Sequence, residues 1–136
     1  MIKIILTLLI ITTINASDIK LESSIFNKLV SAVTKKTDAK VYFHKNIESL
    51  NKYPGELKVV TDCTKADMVI LSTNKDIPAT CKGKILFGTR YSHLKNKEVI
   101  GAFFWQKGRP NILFYEKRLK KNNIKLDSSF DKYIEN

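Results

Sequence analysis

Arginine is scarce in this chain: of 24 basic side chains only three are Arg, at positions 90, 109 and 118. Reading of phosphate or bases favours guanidinium forks in clustered patches. Scattered lysine, at a net charge of +11, instead confers solubility and a general pull towards anionic surfaces, so no nucleic-acid partner is expected. Glycine is also thin, and no phosphate-binding glycine pattern follows any expected strand. The first strand runs straight into His44-Lys45-Asn46, which leaves a dinucleotide-binding reading without its loop. Only two histidines occur, His44 and His93, with no HxxxH-type partner, and two cysteines make no metal-ligand quartet. No metal is expected on those grounds; a zinc site gathering Cys63, Cys81, His44 and His93 in space is the minor alternative. Asp62, Asp67 and Asp76 surround one apolar strand, but nothing in their spacing sets up paired acid–base work. Ser72, Ser92 and Ser128 lack a GxSxG context. No enzyme and no cofactor is therefore expected.

A second long apolar run is missing too, so the single one present carries weight. Met1-Ile2-Lys3 opens with a positive charge, Ile4 to Ile14 is almost wholly apolar, and Ala16-Ser17 supplies small residues. That is the layout of a cleavable secretory signal over residues 1–16. The run is short for spanning, which takes about 20 residues; an uncleaved anchor is the other reading, favoured by Ile14 at the −3 position. Sixteen of 136 residues thus belong to export, and residues 17–136 form one domain of ordinary size, with 43% hydrophobic residues to build a core.

Export changes the reading of Cys63 and Cys81. In an oxidising compartment two thiols are more often paired than free, so a Cys63–Cys81 disulfide is expected; a reactive thiol pair lacks both CxxC spacing and a neighbouring His. Both cysteines precede expected parallel strands and lie at one edge of the sheet, as bridging requires.

Ile25, Phe26, Leu29, Val30 and Val33 recur at helical spacing behind a cap at Ser23-Ser24. Ala39 to His44 reads as a strand, Ile47 to Tyr53 as a helix stopped by Pro54-Gly55, and Glu56 to Val60 as a second strand. Asp67 to Leu71 and Lys84 to Gly88 are continuous apolar runs suited to strands covered on both faces. A short crossover helix fits at Asp76 to Ala79. Val99 to Trp105 and Ile112 to Tyr115 flank Gln106-Lys107-Gly108-Arg109-Pro110-Asn111, a hairpin signal with Gly permitting the turn and Pro ending the pairing. Glu116 to Lys121 reads as a helix broken at Asn122-Asn123, and Ser128 to Asp131 as a capping box with Ser128 the cap. The order predicts an α/β three-layer sandwich, Rossmann-like without the nucleotide motif: a mostly parallel sheet, a C-terminal antiparallel hairpin, and helices on both faces.

Two segments invite functional readings beside structural ones. Lys117-Arg118-Leu119-Lys120-Lys121 is the solvated face of a short helix, or an anion- or membrane-facing patch. On the hairpin, alternation sets Gly101, Phe103 and Trp105 on one face, Ala102 and Phe104 on the other. The aromatics are core, or Trp105 and Arg109, with Phe103, belong to a partner-binding surface, Trp and Arg being common interface anchors. A small-ligand lobe is the alternative function, with Asp62, Asn74, Thr89 and Arg90 as polar groups at the strand ends.

The later part of the chain resembles the YfiR-like periplasmic proteins. Cys63 followed by Met68-Val69-Ile70-Leu71 is similar to that family's Cys-led strand, and Lys82-Gly83-Lys84-Ile85-Leu86-Phe87 to its short strand segment. Ile100-Gly101-Ala102-Phe103-Phe104 through Asn111-Ile112-Leu113-Phe114-Tyr115 resembles its Gly-started hairpin. Asn123 to Phe130 resembles its closing segment, with Asn123 in place of a Gly. The family's Gly-containing loop after the first strand is replaced here by Phe43-His44-Lys45, and its Trp-Pro is missing. The resemblance implies a periplasmic regulator that binds the outward-facing domain of an inner-membrane sensor or diguanylate cyclase and so acts on cyclic di-GMP signalling. The oligomeric state is left open, a homodimer included.

Overall fold

A computed structural model describes the backbone of residues 2–136 and side chains from Asp18 onward; the signal-segment reading over residues 1–16 lies outside the described side chains. Helix α1 runs Ile2–Thr34, followed by β1 (Lys40–His44), α2 (Glu48–Lys52), β2 (Lys58–Val60), β3 (Met68–Leu71), β4 (Leu86–Gly88), β5 (Val99–Gln106), β6 (Arg109–Tyr115), α3 (Glu116–Lys121) and β7 (Ile134–Glu135). Short 3-10 helices at Cys63–Lys65, Ala79–Cys81, Tyr91–Lys95 and Ser128–Tyr133 fill the connections.

The strands form one seven-stranded sheet in the order β2-β1-β3-β4-β5-β6-β7. The first five are mutually parallel, β5 and β6 are antiparallel, and β6 and β7 are parallel. This is the expected α/β architecture, with its parallel body and antiparallel hairpin. The strand order also dictates what covers each face. Crossovers between parallel strands are right-handed, so a connection stepping one way across the sheet lies on one face, and one stepping the other way lies opposite. The link from β1 to β2 steps outward, and its helix α2 puts Ile47 and Leu50 into a core shared with Phe26, Leu29, Val30 and Val33 of α1. The links from β2 to β3, β3 to β4 and β4 to β5 all step the other way. They put Cys63, Cys81 and Leu94 into a second core with Val69, Leu71, Leu86 and Phe104. The second covering layer is therefore made of 3-10 turns. The expected helix at Asp76 to Ala79 is one of these turns, at Ala79–Cys81, where Pro78 occupies the cap position.

Other local expectations are corrected by tertiary demands. Ser23 does not cap a helix, because α1 begins upstream; it is buried and its hydroxyl donates to the Tyr53 carbonyl. Asn27 continues the same tie: its amide donates to the Pro54 carbonyl at 3.3 Å and its oxygen accepts from the Glu56 N–H at 3.2 Å. The turn at Ser128–Tyr133 is capped by Asp127, whose carboxylate accepts from the Ser129 N–H. Pro110 does not end the hairpin but pairs with Trp105 inside β6. The turn is two residues long, Lys107-Gly108, both at positive φ (52° and 73°), the combination whose twist matches the flanking strands. Next to the Gln106–Arg109 pair that closes such a turn, the N–H at position 110 points away from the ladder, so proline loses nothing there.

β5 carries a bulge: Leu86 pairs with Val99 but Phe87 pairs with Gly101. The extra residue resets alternation. Ile100 and Phe103, three apart, both belong to the α1 face, whereas Val99, Ala102 and Phe104 belong to the other. Phe103 is 1% exposed and meets Phe26 edge-on, ring centroids 5.2 Å apart. Gly101 is required for the same packing, since a Cβ there would stand 2.4 Å from the Leu113 carbonyl oxygen.

Candidate functional site

Parallel α/β sheets present ligands or partners to the carboxyl ends of their strands, above all at the point where strand order reverses. Here that point lies between β1 and β3, and protein spans it. His44, buried at the end of β1, makes a 2.6 Å ring-nitrogen hydrogen bond with the Lys75 carbonyl, and the Ser72 N–H donates to the His44 carbonyl. Of the groups proposed for a small ligand, Asn74 and Thr89 make bonds within the framework and Arg90 is exposed. Asn74 donates to the His93 carbonyl, and the Thr89 hydroxyl donates to the Leu71 carbonyl at 2.8 Å. Asp62 belongs elsewhere, capping the turn at Cys63–Lys65; the Thr64 hydroxyl and N–H bonds hold its carboxyl below the usual range. Asp67 ties the α1–β1 connection to the start of β1 through Lys36 and the Lys40 N–H. Partial burial pushes its carboxyl up, but those bonds win and hold it below 3.8.

His93 organises this end of the sheet. Its Nδ1 accepts the Thr89 N–H at 3.0 Å, so the neutral ring carries its proton on Nε2. It lies so close to β4 that a Cβ on Gly88 would stand 2.7 Å from the His93 Cβ, which explains glycine at the strand's last position. Burial, with the Arg90 charge adding to it, holds the imidazole pKa below 6.5. The ring thus positions the turn Tyr91–Lys95 that His93 itself belongs to.

What that turn displays is aromatic and basic. Tyr91 is 62% exposed and stands edge-on to Phe104, ring centroids 5.5 Å apart. Beside them Trp105 is 36% exposed, packed edge-on against buried Phe103, its Nε1–H donating to Glu22 of α1 at 2.9 Å. Thr89, Arg90, Tyr91, Phe104, Trp105 and Gln106 line an open cavity of about 450 Å³. A second of about 420 Å³, lined by Gln106, Lys107, Arg109 and Asn111, adjoins it at the hairpin tip. Trp105 and Arg109, singled out from the sequence, therefore stand at one exposed edge. Phe103 stands behind that edge, as the buried support of the Trp105 ring. Arg90 and Tyr91 were not connected with the hairpin in the sequence, and no local pattern links two segments that only the β4–β5 pairing brings together.

The basic run of α3 divides by side chain. Leu119 is buried, and Arg118 donates to the Leu94, Asn96 and Val99 carbonyls and lies over the Tyr115 ring. Lys120 and Lys121 pair with Glu116 and Glu98 in solvent. Cys63 and Cys81 form a disulfide, with Cα atoms 5.2 Å apart. A structural disulfide of this kind belongs to an oxidising compartment. Among the described residues there is no group of three or more potential metal ligands, and no helix long and apolar enough to cross a membrane.

The chain matches no family model and no curated protein. The likeness to YfiR-like proteins accordingly stands on the segments quoted for it.

Proposed function

We propose that this is an exported, non-enzymatic regulatory protein of the periplasm that binds and modulates an inner-membrane signalling protein, a sensor or diguanylate cyclase being the kind the YfiR-like resemblance implies. The observation that carries the partner-binding reading is the exposed end of the hairpin, where Trp105 is braced by Phe103 and Arg109 follows one pair further on, opposite Gln106. Aromatic and arginine anchors on rigid support are the groups that supply most interface energy. The disulfide and the signal-like start support an oxidising, exported location. The bridged crevice between β1 and β3 weighs against the alternative of a small-ligand lobe, since His44 and Lys75 occupy the place a ligand would take.

The test is capture of membrane proteins from solubilised inner membranes by the exported protein, with Trp105→Ala and Arg109→Ala in parallel. The expected result is one membrane signalling protein enriched by the parent and reduced with both variants. Recovery of no membrane protein, or equal recovery by folded variants, overturns the proposal. Thermal stabilisation by a metabolite without any protein partner would favour the ligand lobe.

A further inference from the structure

The edge that displays Tyr91 and Trp105 is also the edge at which the chain enters the fold. Glu22 of α1 bonds the Trp105 indole, so α1 runs antiparallel to the parallel strands, with its upstream end at their carboxyl ends. The apolar stretch Ile4–Ile14 ends eight residues before Glu22, a span of about 12 Å in a helix. While that stretch is attached and in a bilayer, this edge is held within reach of the membrane surface whatever path the intervening residues take.

The chemistry of the edge fits that neighbour. The charged residues lining its two adjoining cavities are Arg90, Lys107 and Arg109, all cations. The Glu22 carboxylate at this edge accepts the Trp105 indole N–H. Tyr91 and Trp105 are amphipathic rings, the type that settles at the headgroup level, where basic side chains reach phosphates. We infer that the Arg90–Tyr91 side of this edge docks on an anionic lipid surface, with Trp105 at the boundary between lipid and the protein partner. The inference goes beyond the proposed function; it rests on the exported location and on the charge and aromatic rings of this edge, and a retained apolar stretch adds reach to it. A protein standing in the inner membrane and the lipid around it make one composite surface, and Arg90 and Tyr91 face its lipid part.

Trp105 is the chain's single tryptophan, so its fluorescence reports on this edge alone. The experiment uses protein as cells export it, mixed with vesicles of phosphatidylglycerol or of phosphatidylcholine. Expected are a blue-shifted emission and co-flotation with phosphatidylglycerol only, weakened by salt because exposed charges are screened beyond about 10 Å at 0.1 M. Each basic residue near such a surface contributes about 1 kcal/mol. Arg90→Glu, which removes one attraction and adds one repulsion, therefore lowers vesicle affinity about thirtyfold. Tyr91→Ser shrinks the emission shift. Both side chains are exposed, and unchanged thermal unfolding of the variants shows that the fold is kept. The inference is overturned by no shift with phosphatidylglycerol, by equal binding to both lipids, or by Arg90→Glu and Tyr91→Ser variants that bind as the parent does. Equal binding would assign attachment to the apolar stretch, and unaffected variants would assign it to the dispersed lysines. Capture of a membrane protein despite absent lipid binding would leave the proposed function standing and remove this inference alone.

Discussion

Replacing Cys63 and Cys81 together by alanine tests how the second face of the sheet is held. That face has no α-helix of its own; 3-10 turns cover it, and the disulfide joins two of them across an 18-residue separation that brackets β3. The chain-entropy relation assigns closure of a loop of this length about 3 kcal/mol. Native domains have about 5–15 kcal/mol in all, so the bond carries a substantial part of the margin. Both cysteines are 2% exposed, and alanine avoids burying the hydroxyls that serine would introduce. The variant should melt about 10 °C below the oxidised parent, by the size scaling for a domain near this length. Circular dichroism with and without reductant gives the decisive comparison. Reductant should lower the parent's midpoint by about the same amount and leave the double-alanine variant unmoved. A loss under about 1 kcal/mol, or an equal response of both proteins to reductant, would refute the reasoning, because the second face would then hold without its staple.

Four further outcomes follow from the packing and the site. Phe103→Ala should cost about 3–5 kcal/mol, measured by urea unfolding, because the ring is buried between Phe26 and Trp105; an effect within 1 kcal/mol would place Phe103 outside the core. Gly101→Ala should disrupt the hairpin, since the new Cβ meets the Leu113 carbonyl; near-parental stability and near-ultraviolet dichroism would contradict this. His93 titrates below 6.5 in the folded protein, so the unfolded chain binds its proton first. Its contribution is present in full above about pH 6.5 and is lost as pH falls from there through the folded value. His93→Gln should flatten stability across that window, whereas the lowered carboxyls Asp62, Asp67 and Asp127 act only below their ordinary 3.8; an unchanged slope from pH 7 to 5 would count against His93. Finally, Glu22→Gln should leave folding intact but alter Trp105 emission, because the carboxylate accepts the indole N–H; an identical spectrum would break the link between α1 and the hairpin.

Much of the framework was legible because its signals are local. The spacing of Phe26, Leu29, Val30 and Val33 marks one helix face, and the apolar runs of β3 and β4 mark strands covered on both sides. Lys107-Gly108 marks a turn. Other details were not legible, because distant partners decide them. Ser23 looks like a cap until Tyr53 claims its hydroxyl. Pro110 looks like a strand end until the ladder geometry shows its missing N–H directed away from Trp105's strand. The bulge at Ile100 breaks the simple alternation of β5 without leaving a mark in the residues themselves.

By itself the sequence determined the α/β class and the parallel body with its antiparallel hairpin, because residue periodicity and turn chemistry are properties of neighbouring residues. It also marked the cysteines as an expected pair, because an export-like start implies oxidising surroundings. Only the tertiary structure decided that the switch-point crevice is bridged by His44 and Lys75. It alone built the second layer from 3-10 turns, placed Phe103 behind the surface, and brought Arg90 and Tyr91 beside Trp105 at the edge where α1 enters. Those outcomes depend on strand order and crossover handedness, which join residues far apart in the chain and leave no local periodicity to read.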